Sequence, residues 1–574
     1  MQNTIDHWLE RDPDPQTRQE LQELLKNNDQ SELQSRFKAR LAFGTAGLRG
    51  LLGAGPGRMN RLVVQETTAG LGQYLLTNIP DAATAGVVIG YDGRRGSLQF
   101  SEDAACVLAG MGIKVYLFET VIPTPTCAFA VLQRKAAAGI MVTASHNPPD
   151  YNGYKVYWSN GAQIIPPHDS GIADAIELAA TRPIPWLDFN QAQNQGMIEA
   201  LTDDTVEAYL QGVEERALFW SPGQSHDLKI VYTPLHGVGA EVVERALKRA
   251  GFHNTHTVPS QREPDGHFPT VNFPNPEEPG AMDEAIASAT AQGADLIVAN
   301  DPDADRLAVA LPTSPGAYQM LTGNEIGVIL GHALLQAYKG KQAAVGTTIV
   351  SSRLLSAIAA GHDATYFETL TGFKWIANHA IELKKEGKDF LLGYEEALGY
   401  TVGDWVRDKD GVSSLLAFAL LTSHLRSQNK TVLQYLEDIY RTYGLYTTAQ
   451  KSLALEPGAD AGALGKLLRQ SPPATIAGQV VTATCDLLTL TRTTLDGTTE
   501  DIDLPPSDVL VFYLEDQTRI IVRPSGTEPK VKCYYETIHS VPEAASFSDT
   551  QAQATRAMED LITAHQKELA TLGE

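Results

Sequence analysis

Short apolar runs alternate with helically spaced segments over most of this chain. The runs at residues 86–90, 114–118 and 139–142 have the length of buried strands, whereas the segments at 101–111 and 126–132 have apolar positions at helical spacing. Strands that alternate with helices in this way predict βαβ units and a largely parallel sheet. The N-terminal part of the chain is therefore predicted to hold an α/β domain.

The same alternation begins again at two later points. The predicted elements there are, in order, a strand at 228–232, a helix at 241–250, a strand at 296–299, a helix at 323–337, a strand at 344–350 and a helix at 352–360. Polar stretches at residues 181–204 and 312–317 precede the restarts. We therefore expect domain boundaries near residues 205 and 320, which makes three α/β units in series.

The two ends of the chain have different patterns. Residues 5–37 carry sparse apolar positions at helical spacing, which predicts the short surface helices of an N-terminal extension. The C-terminal part has strand-like runs at 480–491, 508–514, 519–522 and 531–536, and a closing helix at 552–572. The predicted domains are residues 1–204, 205–320 and 321–440, each an α/β domain with a mixed sheet, and 441–574, an α+β domain.

Composition and charge exclude several classes of protein. A chain of 574 residues with 43% hydrophobic and 20% charged residues is typical of a multidomain globular protein. Its net charge of −24 would repel a polyanion, so no nucleic-acid partner is expected. No apolar run approaches the roughly 18 residues of a membrane span, and no signal-peptide pattern opens the chain, so no membrane partner is expected.

The cysteines are few and far apart. Cys106, Cys127, Cys485 and Cys533 form no C-x-x-C pair and no zinc-ligand spacing. This usage is typical of buried thiols in a reducing compartment, which predicts a cytoplasmic protein.

The first segment with candidate chemistry, TASHNPPDYNGYK at residues 143–155, directly follows a predicted strand. Ser145 has His146 beside it and Lys155 ten positions later, and two prolines stiffen the loop. A nucleophilic or phosphorylated serine fits this pattern, as does a plain polar turn capped by Ser145. The segment lacks the G-x-S-x-G of a hydrolase elbow, which disfavours a Ser-His-Asp hydrolase.

The second segment, DPDADR at residues 301–306, lies between two apolar runs. Carboxylates at alternate positions of a loop can converge, and each pair about 4 Å apart would repel by roughly 4 kcal/mol at an effective dielectric constant of 20. A bound cation relieves this repulsion, and ligands that are all oxygens favour Mg²⁺. The spacing excludes an EF-hand, which needs Gly at Arg306 and Glu at Pro312.

The third segment is GYEEALGY at residues 393–400. Glu395 and Glu396 suit sugar hydroxyls or acid-base catalysis, and they equally suit the first turn of a helix. Upstream, TGFKW at residues 371–375 adds Lys374 and two aromatic residues, which could belong to a sugar-phosphate site or to the core.

Two glycine-containing segments suit phosphate binding. RPSGTEPK at residues 523–530 combines an arginine fork, hydroxyls and a glycine, which together can bind a phosphate group. FGTAGLRG at residues 43–50 could bring Arg49 to the same anion. Neither G-x-G-x-x-G after a strand nor G-x-x-x-x-G-K-[ST] occurs, so dinucleotide and nucleoside triphosphate binding are weakly supported.

Taken in order, FGTAGLRG, TASHNPPDYNGYKVY, DPDADR, GYEEALGY and RPSGTEPK resemble the motifs of the α-D-phosphohexomutase superfamily, which includes phosphoglucomutases and phosphomannomutases. The resemblance implies an α/β fold with four domains around a central cleft. GYEEALGY and TGFKWIAN resemble most the branch with the second type of phosphoglucomutase and the phosphopentomutases.

The resemblance also implies roles for individual residues. Ser145 would be the phosphoserine, and Ser145, Asp301, Asp303 and Asp305 would hold one Mg²⁺. The other residues assigned by resemblance line the phosphoserine site (Arg49, His146, Lys155, Arg306), or bind substrate (Thr371, Gly372, Lys374, Glu395, Glu396, Lys409, Arg523, Ser525, Gly526, Thr527). Lys155 and Lys409 are candidates for the general acid and base.

The implied reaction is the interconversion of α-D-glucose 1-phosphate and glucose 6-phosphate, with mannose phosphates as possible further substrates. It would pass through a phosphoserine enzyme and a sugar 1,6-bisphosphate, and small sugar phosphates would be the partners. The implied sugar loop, GYEEALGY at residues 393–400, departs from the E-E-S and E-x-S-G-H patterns of hexose mutases. Ala397 stands in place of a residue with a hydroxyl, and Tyr400 in place of a histidine. A phosphopentomutase is therefore an alternative, and a non-catalytic sugar-phosphate-binding protein is a third.

Overall fold

The computed structural model describes residues 2–42, 47–217, 225–454, 461–524 and 530–572. The predicted N-terminal extension is confirmed as the three helices α1 (Gln2–Arg11), α2 (Pro15–Lys26) and α3 (Gln30–Phe37). Asp14 and Asp29 cap the second and third helices by accepting hydrogen bonds from backbone N–H groups. Leu21 and Leu33 are buried, so these helices pack on the first domain's core through their sparse apolar positions.

The first sheet contains both parallel and antiparallel strands. Its region comprises β1 (Leu48–Leu51), α4 (Arg61–Asn78), α5 (Ala82–Ala85), β2 (Val87–Tyr91), α6 (Ser97–Gly110), β3 (Val115–Phe118), α7 (Thr124–Arg134), β4 (Ala138–Val142), β5 (Tyr151–Trp158), α8 (His168–Ala179), α9 (Phe189–Asn194), β6 (Ile198–Leu201) and α10 (Asp203–Arg216). The strand order is β1-β5-β4-β2-β3-β6. The predicted βαβ core is confirmed, since β2 pairs in parallel with β3 and β4. The polar stretch at 181–204 contains α9 and β6, whose strand pairs in parallel with β3 at the sheet edge.

The second sheet has the order β11-β10-β9-β7-β8. Its region comprises β7 (Ile230–Thr233), α11 (Ala240–Arg249), β8 (Thr255–Thr257), a 3₁₀ turn (Pro259–Gln261), α12 (Asp283–Gln292), β9 (Leu296–Ala299), β10 (Ala308–Ser314) and β11 (Ala317–Met320). The polar stretch at 312–317 forms the exposed end of the β10–β11 hairpin. This sheet is parallel at β8, β7 and β9 and antiparallel at β10 and β11.

The third region comprises α13 (Gly323–Ala337), β12 (Ala343–Thr348), α14 (Leu354–Gly361), β13 (Thr365–Thr369), α15 (Phe373–Lys385), β14 (Asp389–Glu395), β15 (Gly399–Val402), α16 (Gly411–Ser427) and α17 (Val432–Tyr443). β12 and β13 pair in parallel, and β14 and β15 form an antiparallel hairpin.

The C-terminal region is an antiparallel sheet with few helices. It comprises β16 (Leu445–Ala454), α18 (Ala461–Gln470), β17 (Thr475–Ile476), β18 (Gln479–Asp486), β19 (Thr491–Thr494), β20 (Thr499–Asp501), β21 (Leu510–Leu514), β22 (Arg519–Pro524), β23 (Lys530–His539) and α19 (Phe547–Leu572). The predicted α+β character and closing helix are confirmed. The run predicted at 480–491 divides into β18 and β19, because a turn after Asp486 lets the two strands pair with each other.

The chain divides into two compact units. Residues 1–323 and 372–428 form the first, and residues 324–371 and 429–574 form the second. The cysteines are buried, as predicted. Within the described ranges, every helix is too short or too polar to cross a lipid bilayer. The domain boundaries near 205, 320 and 440 remain a proposal.

Candidate active site

Ser145 lies in the loop that follows β4, where parallel strands of α/β proteins present ligand-binding residues. Its backbone has a positive φ of 52°, and its N–H donates a 2.9 Å hydrogen bond to Oγ1 of Thr143. Its Oγ donates to Oδ2 of Asp301 at 2.9 Å and lies 3.2 Å from Nδ1 of His146. The serine hydroxyl is therefore directed at the acidic loop.

The three predicted metal ligands lie together in the loop between β9 and β10. Asp301, Asp303 and Asp305 are fully buried, and one carboxylate oxygen of each lies within 4.8 Å of the others. Ala304 has a positive φ of 56°, which turns the short loop back on itself. Among the described residues, no hydrogen-bond donor reaches Oδ1 of Asp303 or of Asp305. Two unpartnered buried carboxylate oxygens beside a third carboxylate fit a hard divalent cation such as Mg²⁺.

Two lysines neutralise part of this acidic cluster. Nζ of Lys155, on β5, lies 2.8 Å from Oδ2 of Asp303 and 2.8 Å from Oδ2 of Asp305. Nζ of Lys409 lies 3.2 Å from Oδ2 of Asp305. Burial alone would lower the pKa of Lys155, but the two carboxylates outweigh burial and raise it. Burial would raise the pKa of Asp305, but the two lysines lower it well below its ordinary value. Both lysines are thus held protonated.

The pKa of Asp301 is shifted in the opposite direction from the pKa values of Asp303 and Asp305. Burial raises its pKa well above the ordinary value, and the charges of Asp305 and Asp303 raise it further. Its Oδ1 accepts a 3.0 Å hydrogen bond from the backbone N–H of Arg306. This carboxylate gains most from a bound cation, since a positive charge would offset both effects.

His146 follows Ser145 in the serine loop, and Arg49 and Arg306 lie close enough to act on its charge. Nη1 of Arg49 donates to Oδ1 of Asn147 at 3.0 Å, and Nη1 of Arg306 lies 3.4 Å from a carboxylate oxygen of Glu277. Burial lowers the pKa of His146 well below its ordinary value, and the two arginine charges lower it further. His146 is therefore neutral at pH 7.

The segment predicted to bind the sugar, residues 393–400 (the sugar loop), forms the β14–β15 hairpin and its turn. The backbone N–H of Gly372 donates to Oε1 of Glu395 at 2.8 Å, and burial raises the pKa of Glu395. Tyr400 is fully buried, and its hydroxyl donates to the carbonyl of Gly323 at 3.1 Å. Lys374, at the start of α15, lies over the Trp375 ring, and burial lowers its pKa. Glu396 occupies the tip of this hairpin, beside Glu395.

Thr371 and Arg523 belong to the second compact unit. Ser525, Gly526 and Thr527 lie outside the described residues.

Two residues at the site escaped the sequence analysis. Oγ1 of Thr124, at the start of α7, donates to Oδ2 of Asp303 at 2.6 Å. Arg94, in the turn after β2, donates to the backbone carbonyls of Ser145 and Asn147 at 2.6 and 2.5 Å. The available signal for Arg94 was the polar segment D-G-R-R at residues 92–95, directly after a strand in an α/β pattern.

Family models match the chain in four consecutive segments. They are described as phosphoglucomutase/phosphomannomutase alpha/beta/alpha domain I at residues 40–182, domain II at 207–314, domain III at 322–443, and the C-terminal domain at 488–554. Three of these segments contain the serine, acidic and sugar loops described above.

Curated relatives match nearly the whole chain. A Schizosaccharomyces pombe protein named "Probable phosphoribomutase" is 41% identical over 93% of this chain and 93% of its own length. A Haemophilus influenzae "Probable phosphomannomutase" is 42% identical over 85% of this chain and 94% of its own. The Mus musculus phosphopentomutase is 38% identical over 92% of this chain and 89% of its own. The chain therefore belongs to the phosphoglucomutase/phosphomannomutase family, and it is a phosphosugar mutase, an isomerase, with three mixed-sheet α/β domains and a C-terminal domain.

Proposed function

We propose that this enzyme moves a phosphoryl group between two hydroxyl oxygens of one sugar phosphate, with Ser145 as the phosphorylated residue. The observation that carries the proposal is the 2.9 Å hydrogen bond between Oγ of Ser145 and Oδ2 of Asp301, at the edge of a buried cluster of three carboxylates. This geometry supports a serine oxygen that shares a cation with the acidic loop. Asp301, Asp303, Asp305 and phosphorylated Ser145 would hold one Mg²⁺, which neutralises charge on the transferred phosphoryl group.

The residues around Ser145 divide the remaining tasks. In the first half-reaction, the P–O bond to Oγ of Ser145 breaks and a new P–O bond forms to the free hydroxyl oxygen of the sugar. The proton of that hydroxyl ends on Oγ of Ser145, which regenerates the serine hydroxyl. The bound bisphosphate then reorients within the site, and its other phosphoryl group is transferred to Ser145. Lys155 and Lys409 are held protonated by Asp303 and Asp305, so they suit proton donation and charge stabilisation in the resting state.

Arg49, His146 and Arg306 would bind the phosphoryl group at Ser145, and Thr371, Gly372, Lys374, Glu395 and Glu396 would bind the sugar. Arg523, Ser525, Gly526 and Thr527 would bind the phosphate that is not being transferred. A sugar bisphosphate would serve as the intermediate and as the activator that first phosphorylates Ser145.

We propose a pentose phosphate as the preferred substrate, interconverted between its 1- and 5-phosphates. Relatives with names that specify ribose or pentose phosphates support this assignment. The sugar loop also supports it, since Ala397 has no hydroxyl and the hydroxyl of Tyr400 is bound to Gly323 within the core. Glucose or mannose phosphates are the second candidate, supported by the phosphomannomutase relative.

The test is kcat/KM for ribose 1-phosphate, glucose 1-phosphate, mannose 1-phosphate and N-acetylglucosamine 1-phosphate, with Mg²⁺ and a sugar bisphosphate present. Ser145→Ala is expected to lose more than about 10³-fold in kcat. Ser414→Ala is the matched control, because Ser414 is buried and its hydroxyl has no hydrogen-bond partner among the described residues.

Phosphate found on Ser145 by mass spectrometry after incubation with a bisphosphate would support the proposed intermediate. Higher kcat/KM for a hexose phosphate would move the substrate to the second candidate. No turnover of any sugar phosphate, with no phosphate on Ser145, would contradict the proposed function and leave a binding protein.

A further inference from the structure

The guanidinium group of Arg94 binds the backbone of the serine loop, residues 143–155. Nη2 of Arg94 donates to the carbonyl of Ser145 at 2.6 Å and to that of Asn147 at 2.5 Å. Nη1 donates to the carbonyls of Pro148 and Tyr151 at 2.9 and 3.3 Å. One buried side chain thus binds four backbone oxygens over seven residues of the loop.

The position of Arg94 is itself closely determined. The side chain is 1% exposed, and its Nε lies 3.4 Å from Oδ2 of Asp92, which balances its charge. The guanidinium carbon lies 4.9 Å from the centre of the ring of Phe268, in the loop before α12. A Cβ on Gly266 would lie 2.8 Å from the backbone nitrogen of Arg95, so this second loop packs directly on the turn that carries Arg94.

Ser145 needs such support because its backbone has a left-handed φ of 52°. Non-glycine residues keep this conformation only where the surrounding structure enforces it. The hydrogen bond from Arg94 to the carbonyl of Ser145 acts on the peptide that follows this strained residue. Without that hydrogen bond Ser145 could relax to a negative φ, which would redirect its Cα–Cβ bond and move Oγ away from Asp301.

We propose that Arg94 is a positioning residue for the reaction, which holds the strained backbone at Ser145 so that Oγ faces the acidic cluster. The inference rests on the proposed role of Ser145 as the phosphorylated residue. Arg94 acts through the backbone carbonyls of the serine loop. It also contacts the loop of the second domain that contains Phe268. Its removal should therefore slow phosphoryl transfer without weakening sugar binding.

The test compares Arg94→Lys with the wild-type enzyme. Lysine keeps the charge but presents one ammonium group, which cannot bind four carbonyls in the directions of a planar fork. We expect kcat and the rate of Ser145 phosphorylation by a sugar bisphosphate to fall about 10- to 100-fold, with KM within about twofold. Arg95→Met is the matched control, because the side chain of Arg95 is 41% exposed and binds the serine loop at Pro149 and Asp150. This variant should keep kcat within about twofold of the wild type.

A second variant separates positioning from folding. Phe268→Leu keeps Arg94 but removes the ring beneath its guanidinium, and we expect a smaller fall in kcat, about three- to tenfold, at unchanged KM. If Arg94→Lys does not fold, the fall in kcat at unchanged KM is measured on Phe268→Leu instead. The inference is wrong if the folded variants phosphorylate Ser145 at the wild-type rate, or if KM rises while kcat stays constant. A wild-type enzyme that never phosphorylates Ser145 would instead overturn the proposed function.

Discussion

Oγ of Ser145 donates a 2.9 Å hydrogen bond to Oδ2 of Asp301, a residue 156 positions further along the chain. The bond joins the end of β4 in the first sheet to the end of β9 in the second. A phosphoryl group on Ser145 would therefore lie beside three carboxylates that repel it unless a cation is bound. Ser145 and the carboxylates proposed to bind the cation are thus joined across two sheets.

Removal of one carboxylate from the aspartate cluster should weaken cation binding in a protein that still folds. We expect Asp301→Asn to lower the affinity for Mn²⁺, used as a spectroscopic substitute for Mg²⁺, by more than about tenfold, because one charged ligand is lost. Electron paramagnetic resonance titration measures free Mn²⁺ directly. Asp103→Asn is the control, since Asp103 is an equally buried carboxylate that pairs with Arg61 instead. Equal Mn²⁺ affinity in the Asp301 variant and the wild type would exclude this cluster as the site.

Lys155→Met should destabilise the protein more without Mg²⁺ than with it. Loss of Lys155 removes the buried positive charge shared by Asp303 and Asp305 and leaves Lys409 beside Asp305, which costs about 3–5 kcal/mol in the free energy of unfolding. Saturating Mg²⁺ should recover part of this loss, because the cation replaces the missing positive charge and binds only the folded state.

Urea denaturation with and without Mg²⁺ measures the effect of Lys155→Met. Lys114→Met, which breaks a solvent-exposed pair with Glu199, should cost less than about 1 kcal/mol under both conditions. A Lys155 variant that responds to Mg²⁺ no more than the Lys114 variant would show that the lysine and the cation do not share these carboxylates.

Glu395→Ala should raise KM for the sugar phosphate about 10- to 100-fold, because a charged hydrogen-bond acceptor for sugar hydroxyls is lost. Initial-rate kinetics at saturating Mg²⁺ measure it. Divalent cation affinity should not change, since Glu395 lies outside the aspartate cluster. Glu382→Ala, on the exposed face of α15, is the control that should leave KM unchanged. An unchanged KM in the Glu395 variant would remove this residue from the sugar site.

The C-terminal region should lose stability as the pH falls below 6.5. Burial lowers the pKa of His565 to about 4, and its Nδ1 lies 3.0 Å from the hydroxyl of Tyr535. The folded state therefore keeps His565 neutral, while the unfolded chain takes up a proton near pH 6.5, so the free energy of unfolding falls as the pH falls towards 4. Between pH 7 and pH 5 this one group should remove about 2 kcal/mol.

Denaturation by urea at pH 7 and pH 5 measures this dependence. His565→Gln retains an acceptor for the Tyr535 hydroxyl and cannot titrate, so its change between the two pH values should be smaller by about 2 kcal/mol. His253→Gln, at an exposed position, should behave as the wild type does. The same pH dependence in the His565 variant and the wild type would contradict the assignment.

Much of the candidate site was predictable because its chemistry is local. Asp301, Asp303 and Asp305 occupy alternate positions of one short loop, so their mutual repulsion and their need for a cation follow from spacing alone. The elements were predictable where apolar periodicity is strong, as at β9 and α13. The sequence failed to separate β18 from β19, because a hairpin depends on a turn that periodicity does not reveal.

Partners that are distant along the chain could not be predicted in the same way. Nζ of Lys155 binds Asp303, which lies 148 positions further along the chain. The spacing of charged residues in the sequence does not indicate that these two side chains pair. Arg94 binds backbone carbonyls, which every residue possesses, so no residue type in the serine loop indicates its partner. The motifs of the sequence were enough to identify the family and to name candidate residues for the site. The fold was needed to show which charges neutralise one another and which way Oγ of Ser145 points, because both depend on short-range forces between segments that only folding brings together.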